Sequence, residues 1–501
     1  MIERSLIKKS ILYRLRFWIG YGLLVLALSL LLILAVTQTS GGISSSEQTS
    51  ALKSASISVK NISSFMIIDL PYHMLQKISI SLFGLNPISI KLPSVVIAFI
   101  TSIGLVLVLR HWLQPRTSVI TGAIAITSTP FIFLAQQGTP AIMLAFWPII
   151  IMLLVISSVE KGKLRTLIFP TLTLSIALSL YTPLMIYIII ALVLSSLAHP
   201  YTRLVIRRKI PNPILISSIG LTILSLVPLI YSIIKSPMPA KGLLFSFSQA
   251  DSGLGVIDRL IKSFTQFADI SGYTIVKTGN LAPYFTLVVV ALMCIGLFYL
   301  YKKRHTIQSY ILFSWLAISI IVAAFNPSHP EVVFIPSMIL AGMGIAMILN
   351  EWYRLFPQNP YARAFALGPI AVLIGGIMIT DATRYFYLYN YNSGLIQANS
   401  EDLHLMHSTL RSKSNNITPS FIAVSNDELP FYKLYIDTNK INLQVTTEGN
   451  IDKISTSDKT RILATKSSAL AKSKTIPESV IASRLNTKPS DRFYIYKNIA
   501  K

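Results

Sequence analysis

Long apolar runs alternate with short polar connections along most of the chain. An α-helix needs about 20 apolar residues to cross the hydrocarbon of a bilayer. Runs of that kind read as spans at Phe17–Thr37, Pro93–Trp112, Ser118–Ala135, Pro140–Val159, Pro213–Ile234, Ala282–Tyr301, Ser309–Phe325, Val332–Asn350 and Ala364–Thr380. The stretch Leu167–Ala198 is long enough for two, and Tyr181–Pro183 breaks it into a hairpin. The pattern predicts a mainly α, polytopic membrane protein with about 11 transmembrane helices.

Basic residues mark every second connection. Arg4, Lys8, Lys9, Arg14 and Arg16 precede the first span, and Arg110 and Arg116 follow the second. Lys161, Lys163 and Arg165, then Arg203 to Lys209, then Lys302 to Arg304, then Arg354 and Arg363 continue the alternation. The positive-inside pattern predicts a cytoplasmic N-terminus in the plasma membrane, and an odd span count puts the C-terminus outside. Three outer segments are long: 38–92, 235–281 and the tail. Residues 1–384 read as the membrane domain with the first two as its outer loops. The tail, 385–501, alternates strand-like runs (PSFIAVS, INLQV, RFYIYK) with polar turns and predicts a small extracytoplasmic α/β domain.

Composition agrees. Hydrophobic residues make up 52% and charged residues 13%, against about a quarter charged in an ordinary soluble domain. A soluble enzyme, a disordered chain and a coiled coil are excluded. The net charge of +24 follows from basic cytoplasmic loops. No basic patch interleaves with aromatics on a soluble domain, so nucleic acid is not an expected partner. The single cysteine, Cys294, rules out a disulfide within the chain. Gly-rich phosphate loops, G-x-S-x-G and H-E-x-x-H are absent from the sequence.

The stretch Ile67–Phe83 sets Ile68, Tyr72, Leu75, Ile78 and Leu82 at helical spacing, with Asp69, His73, Gln76 and Lys77 around the turn. This predicts an interfacial helix on the outer leaflet. Leu70-Pro71-Tyr72, Leu82-Phe83-Gly84 and Lys91-Leu92-Pro93-Ser94 follow one another before a span, a basic turn and a second span ending STPFIFLAQQGTPAIMLAFW. In order and spacing this resembles the polytopic sugar transferases of the GT-C superfamily, and within it glycosyltransferase family 39, which holds protein O-mannosyltransferases and the aminoarabinose transferase of lipid A.

The resemblance implies sugar transfer on the outer face, from a polyprenyl-phosphate carrier to a lipid, glycan or protein acceptor, among membrane lipids and without a cofactor. It places the catalytic base just after the first span, where Glu47 stands. The spacing Ser44-x-x-Glu47 equally fits the capping glutamate of a helix. A second acid is expected about five residues after an arginine; here Gln136 or Gln137 replaces the arginine and Ala141 the acid. Asp69 or Glu331 would then compensate, with His73 nearby. For the phosphate, Lys91 takes the place of the family's arginine, and Lys241, Arg259 and His329 are further outer-face cations. His329 and Glu331 are two ligands, which is not a metal site. The missing acid leaves a second reading open: a non-catalytic GT-C-fold protein that binds or assembles envelope glycans. A transporter fits less well, because the spans carry no midplane charges and the halves show no repeat.

Overall fold

The computed structural model describes residues 20, 22, 25–33, 35, 42–58, 62–159, 165–198, 212–244, 255–268, 275–277, 280–282, 284–355, 360–392, 395, 399–400, 403, 421–447, 461–464, 479–482 and 492–497. Among these, six helices are long and apolar enough to cross a membrane, seven if one bent pair counts as a span. Three shorter apolar helices, Ile168–Ser179, Met185–Ala198 and Leu287–Lys302, occupy the remaining expected positions. The chain is a multi-pass membrane protein. The first expected span is described only in part, and its Leu28, Leu32 and Ala35 are buried in the main core.

Two spans depart from the expected geometry. The third bends by 59° between Pro115–Thr127 and Thr129–Gln136. Ser128 is extended there, and Pro130 cannot continue the first helix because it has no N–H to give the Ile126 carbonyl four residues back. The second begins at Pro87 instead of Pro93. Asn86 caps it: its side chain accepts from the Ser89 N–H at 2.7 Å, and Ser89 Oγ accepts the Asn86 N–H at 3.0 Å. Pro93 therefore lies inside the helix, where it cannot donate to the Ser89 carbonyl four residues back. The Ser79 hydroxyl donates to that carbonyl instead, at 2.7 Å.

Glycines set the closest helix contact. A Cβ on Gly296 would fall on the Leu340 carbonyl, and one on Gly344 on the Leu292 carbonyl. Small residues let membrane helices approach backbone to backbone, and here Leu287–Lys302 and Phe334–Leu355 do so reciprocally. Gly344→Val is expected to cost at least about 1–3 kcal/mol, the usual range for overpacking. Thermal unfolding in detergent should show a lowered Tm; an unchanged Tm would mean the two helices can separate freely.

The first long loop folds into two helices, Ser45–Ser56 and Leu70–Phe83. The second matches the expected interfacial helix, but its polar side faces the protein. His73, Gln76 and Ser79 are buried, while Leu75, Ile78 and Leu82 are exposed. Tyr72 alone of the apolar set is fully buried, with its hydroxyl 2.7 Å from Ser94 Oγ.

The last long helix, Pro360–Tyr391, runs on beyond the expected boundary at 385. Beyond it lies a five-stranded sheet. Phe421–Val424 pairs in parallel with Gln444–Thr447 and with Arg461–Ala464. Arg492–Lys497 pairs antiparallel with Arg461–Ala464 and with Ser479–Ala482. The helix Leu429–Asn439 joins the first two strands and packs on the first long loop. Phe431, Tyr432 and Tyr435 share a core with Ile43, Ala51, Ile80, Leu85 and Ile90. Asn439 clasps Leu85 through both backbone groups: Oδ1 accepts the N–H at 3.0 Å and Nδ2 donates to the carbonyl at 2.9 Å. Gly84, at φ +73, leaves room for that amide.

Candidate active site

Asp69 stands at the start of the helix Leu70–Phe83 with φ 59 and ψ 30, in the left-handed region. Few residues other than glycine adopt it, aspartate being among those that do. Its N–H donates to the Tyr181 carbonyl at 2.9 Å, inside the break that the sequence places at Tyr181–Pro183. Its side chain does not cap the helix, and Oδ1 is buried without a hydrogen-bond partner among the described residues. A buried acceptor left unmade is costly, so such a group calls for an explanation.

The surroundings of Asp69 combine burial with positive charge. Burial pushes its carboxyl up to about 7, against smaller opposing effects of His329, Lys53 and Thr182. His329 Nδ1 lies 3.0 Å from Glu331 Oε1. Burial works against the imidazolium, but the Glu331 contact and the Asp69 charge outweigh it and raise its pKa. Thr182 is held by Trp147 Nε1 at 3.1 Å. The buried Tyr284 hydroxyl has no partner among the described residues; burial raises its pKa well above the ordinary value, with Glu331 adding. Five separate chain segments thus contribute: the two helices of the first long loop, the hairpin turn, the residues before Leu287–Lys302 and the loop before Pro330–Leu355.

Glu47 occupies a neighbouring, fully bonded position. It is the third residue of Ser45–Ser56 and forms a capping box with Ser44, as its spacing allowed. Oε2 accepts from the Ser44 N–H at 2.7 Å and the Ser44 hydroxyl at 3.2 Å. Oε1 accepts the Gly138 N–H at 2.6 Å, and Lys91 Nζ lies 4.0 Å away. Lys91 donates to the Gly42 carbonyl at 2.8 Å and is itself buried. Below this pair, Gln76 satisfies its whole amide: it accepts from Ser50 and Ser54 and donates to the Ile90 and Gly138 carbonyls. His73 Nδ1 meets Ser54 Oγ at 2.9 Å. Burial first, then Lys53, lowers its pKa to about 4, so it is neutral at physiological pH.

Gln136 is buried, and Nε2 donates to the Leu32 carbonyl at 3.3 Å while Oε1 has no partner among the described residues. Gln137 ends the helix Thr129–Gln136, and Ala141 packs on the core. Lys241 is exposed on Pro237–Leu244, beside the Asp69 segment: Leu243 shares an apolar cluster with Ile57, Leu70 and Tyr181. Arg259 lies over the Phe325 ring, 5.6 Å from its centroid. Among the described residues no group of three or more His, Cys, Asp or Glu is placed to hold a metal ion. Lys53, Thr182 and Tyr284 were not legible as site residues. Only Thr182 had a signal, the helix break around it.

This fold, spans with a structured first long loop and a terminal α/β unit, is similar to that of known GT-C membrane proteins. Residues 71–231 match the family model described as dolichyl-phosphate-mannose-protein mannosyltransferase. Two structures of ArnT from Cupriavidus metallidurans, one bound to undecaprenyl phosphate and one apo, are similar over 95% of this chain and 97% of theirs. The identity is 12% and the TM-score 0.53 in both. The archaeal oligosaccharyltransferase AglB from Archaeoglobus fulgidus, in complex with an inhibitory peptide and a dolichol-phosphate, reaches a TM-score of 0.49 at 12% identity, covering 91% of this chain and 70% of its own. No curated protein matches the sequence.

Proposed function

We propose that the chain is a glycosyltransferase of the outer face of the plasma membrane. It moves a sugar from a polyprenyl-phosphate carrier to a hydroxyl of a lipid, glycan or protein acceptor, without a metal ion. The N-terminus is cytoplasmic and the C-terminal domain outside. The observation that carries this is Asp69: a buried carboxylate with an unpartnered oxygen, beside a His329–Glu331 pair and Lys53, in the GT-C fold.

In the proposed reaction Asp69 accepts the proton of the acceptor hydroxyl. The acceptor oxygen bonds to the anomeric carbon as that carbon's bond to the phosphate oxygen breaks. Polyprenyl phosphate leaves, steadied by the His329 imidazolium and Lys53. A base with a pKa near the working pH suits such a transfer. Positive groups held where charge develops lower the barrier further. Glu47 and Lys91 then hold the loop that carries these groups.

The second reading, a non-catalytic binding or assembly protein, draws support from Ala141 and from the fully bonded Glu47. Purified protein in nanodiscs, offered polyprenyl-phosphate sugars, decides between them. Release of polyprenyl phosphate is expected. Donor binding with no release from any polyprenyl-phosphate sugar, in protein shown to be folded, favours the non-catalytic reading.

A further inference from the structure

The helix Val256–Phe267, in the second outer loop, carries its apolar face away from the protein. At about 100° per residue, Val256, Ile257, Leu260, Ile261 and Phe264 fall within one arc of about 140°. All five are exposed, Ile257 at 72% and Phe264 at 69%. The flank beside this arc grips the protein with polar groups. Ser263 is buried, Gln266 Nε2 donates to the Pro327 carbonyl at 3.2 Å, and Arg259 lies over Phe325. Phe267 anchors the end of the helix in the main core against Tyr284 and Phe285. The N–H groups of those two residues close the helix, donating to the Gln266 and Phe267 carbonyls at 2.8 and 3.1 Å.

We infer that this face is inserted among the acyl chains of the outer leaflet, so that the helix lies in the membrane interface. The level of the helix is set by its contacts. It joins the start of the span Leu287–Lys302 and packs on the end of the span Ile307–Phe325, so it sits where both spans meet the membrane surface. Its apolar face also continues that of its neighbours: Leu287, Ile320 and Ile321 are exposed on those two spans. The helix Leu70–Phe83 repeats the arrangement. It too buries polar residues, exposes Leu75, Ile78 and Leu82, and leads into a span. Asp258 and Lys262, both exposed, lie off the apolar arc and face the headgroups and water, as on an interfacial helix.

The placement ties the leaflet to the candidate site. Gln266 holds the Pro327 carbonyl, and Phe267 packs edge-on against Tyr284, whose hydroxyl feels Glu331. The membrane surface thereby fixes the height of the loop bearing His329. The inference stands on this packing alone and holds whether or not the chain transfers sugar.

Depth-dependent quenching tests it in the full chain. With Cys294→Ser as background, single cysteines Ile257→Cys, Ile261→Cys, Phe264→Cys and Lys262→Cys are labelled with an environment-sensitive fluorophore in nanodiscs. All four positions are exposed or at the rim, so folding is retained, and size-exclusion chromatography checks it. Lipids carrying a nitroxide high on the acyl chain should quench the labels at 257, 261 and 264 several-fold more than iodide does. The label at 262 should show the reverse order. Iodide quenching at 257 and 264 as strong as at 262 overturns the inference in favour of a water-facing surface. Shielding from both quenchers, with cross-linking of two copies through these cysteines, overturns it in favour of self-association.

Discussion

Asp69→Asn is expected to lower sugar transfer by roughly 10²–10⁴-fold, the usual cost of losing a positioned general base, with the fold intact. Asparagine is nearly the same size, tolerates the left-handed backbone that Asp69 adopts, and presents no charge to the buried pocket. Donor binding should survive, because His329 and Lys53 remain. The pH dependence follows from the same group. With its carboxyl at about 7, the parent should gain activity as pH rises through 7 and level off above it. Stability should move the opposite way. The folded pKa lies above the ordinary 3.8, so between about pH 4 and 7 the folded state holds the extra proton. The stability contributed by neutral Asp69 is complete below that window and lost as pH rises through it. The asparagine variant, unable to ionise, should show a Tm less dependent on pH across the window than the parent. Transfer by Asp69→Asn at the parental rate, or a parental rate that is flat from pH 6 to 8, removes Asp69 as the base.

What the sequence made legible depended on how local each cause is. A membrane helix announces itself through about 20 consecutive apolar residues, so spans were readable from Pro93 to Thr380. Their ends were not, because ends depend on caps and on distant partners. Pro93 looks like a helix start, yet it is carried inside the helix by a hydroxyl from Ser79. The helical spacing of Ile67–Phe83 was equally local and correct. The direction its faces take was hidden, since alternating polarity has the same period whichever side meets the protein. Ser44 and Glu47 illustrate the same division. Three residues of spacing suffice for a capping box, whereas the Gly138 N–H that completes the carboxylate's bonding lies 91 residues away. Asp69 acquires its character wholly from remote segments. The Tyr181 carbonyl fixes its backbone, and His329 and Lys53 act on its charge. No spacing rule within one stretch of chain connects residues 53, 69, 182 and 329. Only the fold brings them together, whereas Glu47 was singled out by its position after the first span and by the family resemblance.

Glu47→Gln is the complementary experiment, and its expected effect is on the fold first. Each carboxylate oxygen of Glu47 accepts a backbone N–H: Ser44 on Oε2, Gly138 on Oε1. A glutamine offers one acceptor oxygen and one NH₂ group. Whichever way its amide turns, a donor confronts a backbone donor that cannot move. At Gly138 the backbone has no slack, since a Cβ there would strike Ile90. The same change withdraws the negative charge that faces buried Lys91 at 4.0 Å. Removing one member of a buried pair typically costs about 3–5 kcal/mol, because the other charge is left uncompensated. The first long loop should then loosen from the membrane domain. Its hydrogen exchange should quicken across residues 43–58, and Tm should fall. Activity should fall with it, because Lys53 rides on the last turn of the same helix. The two variants therefore separate by readout. Asp69→Asn loses turnover with stability kept, while Glu47→Gln loses both, and a double change Glu47→Gln with Lys91→Met should recover part of the stability by removing the orphaned cation. Full stability in Glu47→Gln together with complete loss of transfer would reverse the assignment and make Glu47 the base.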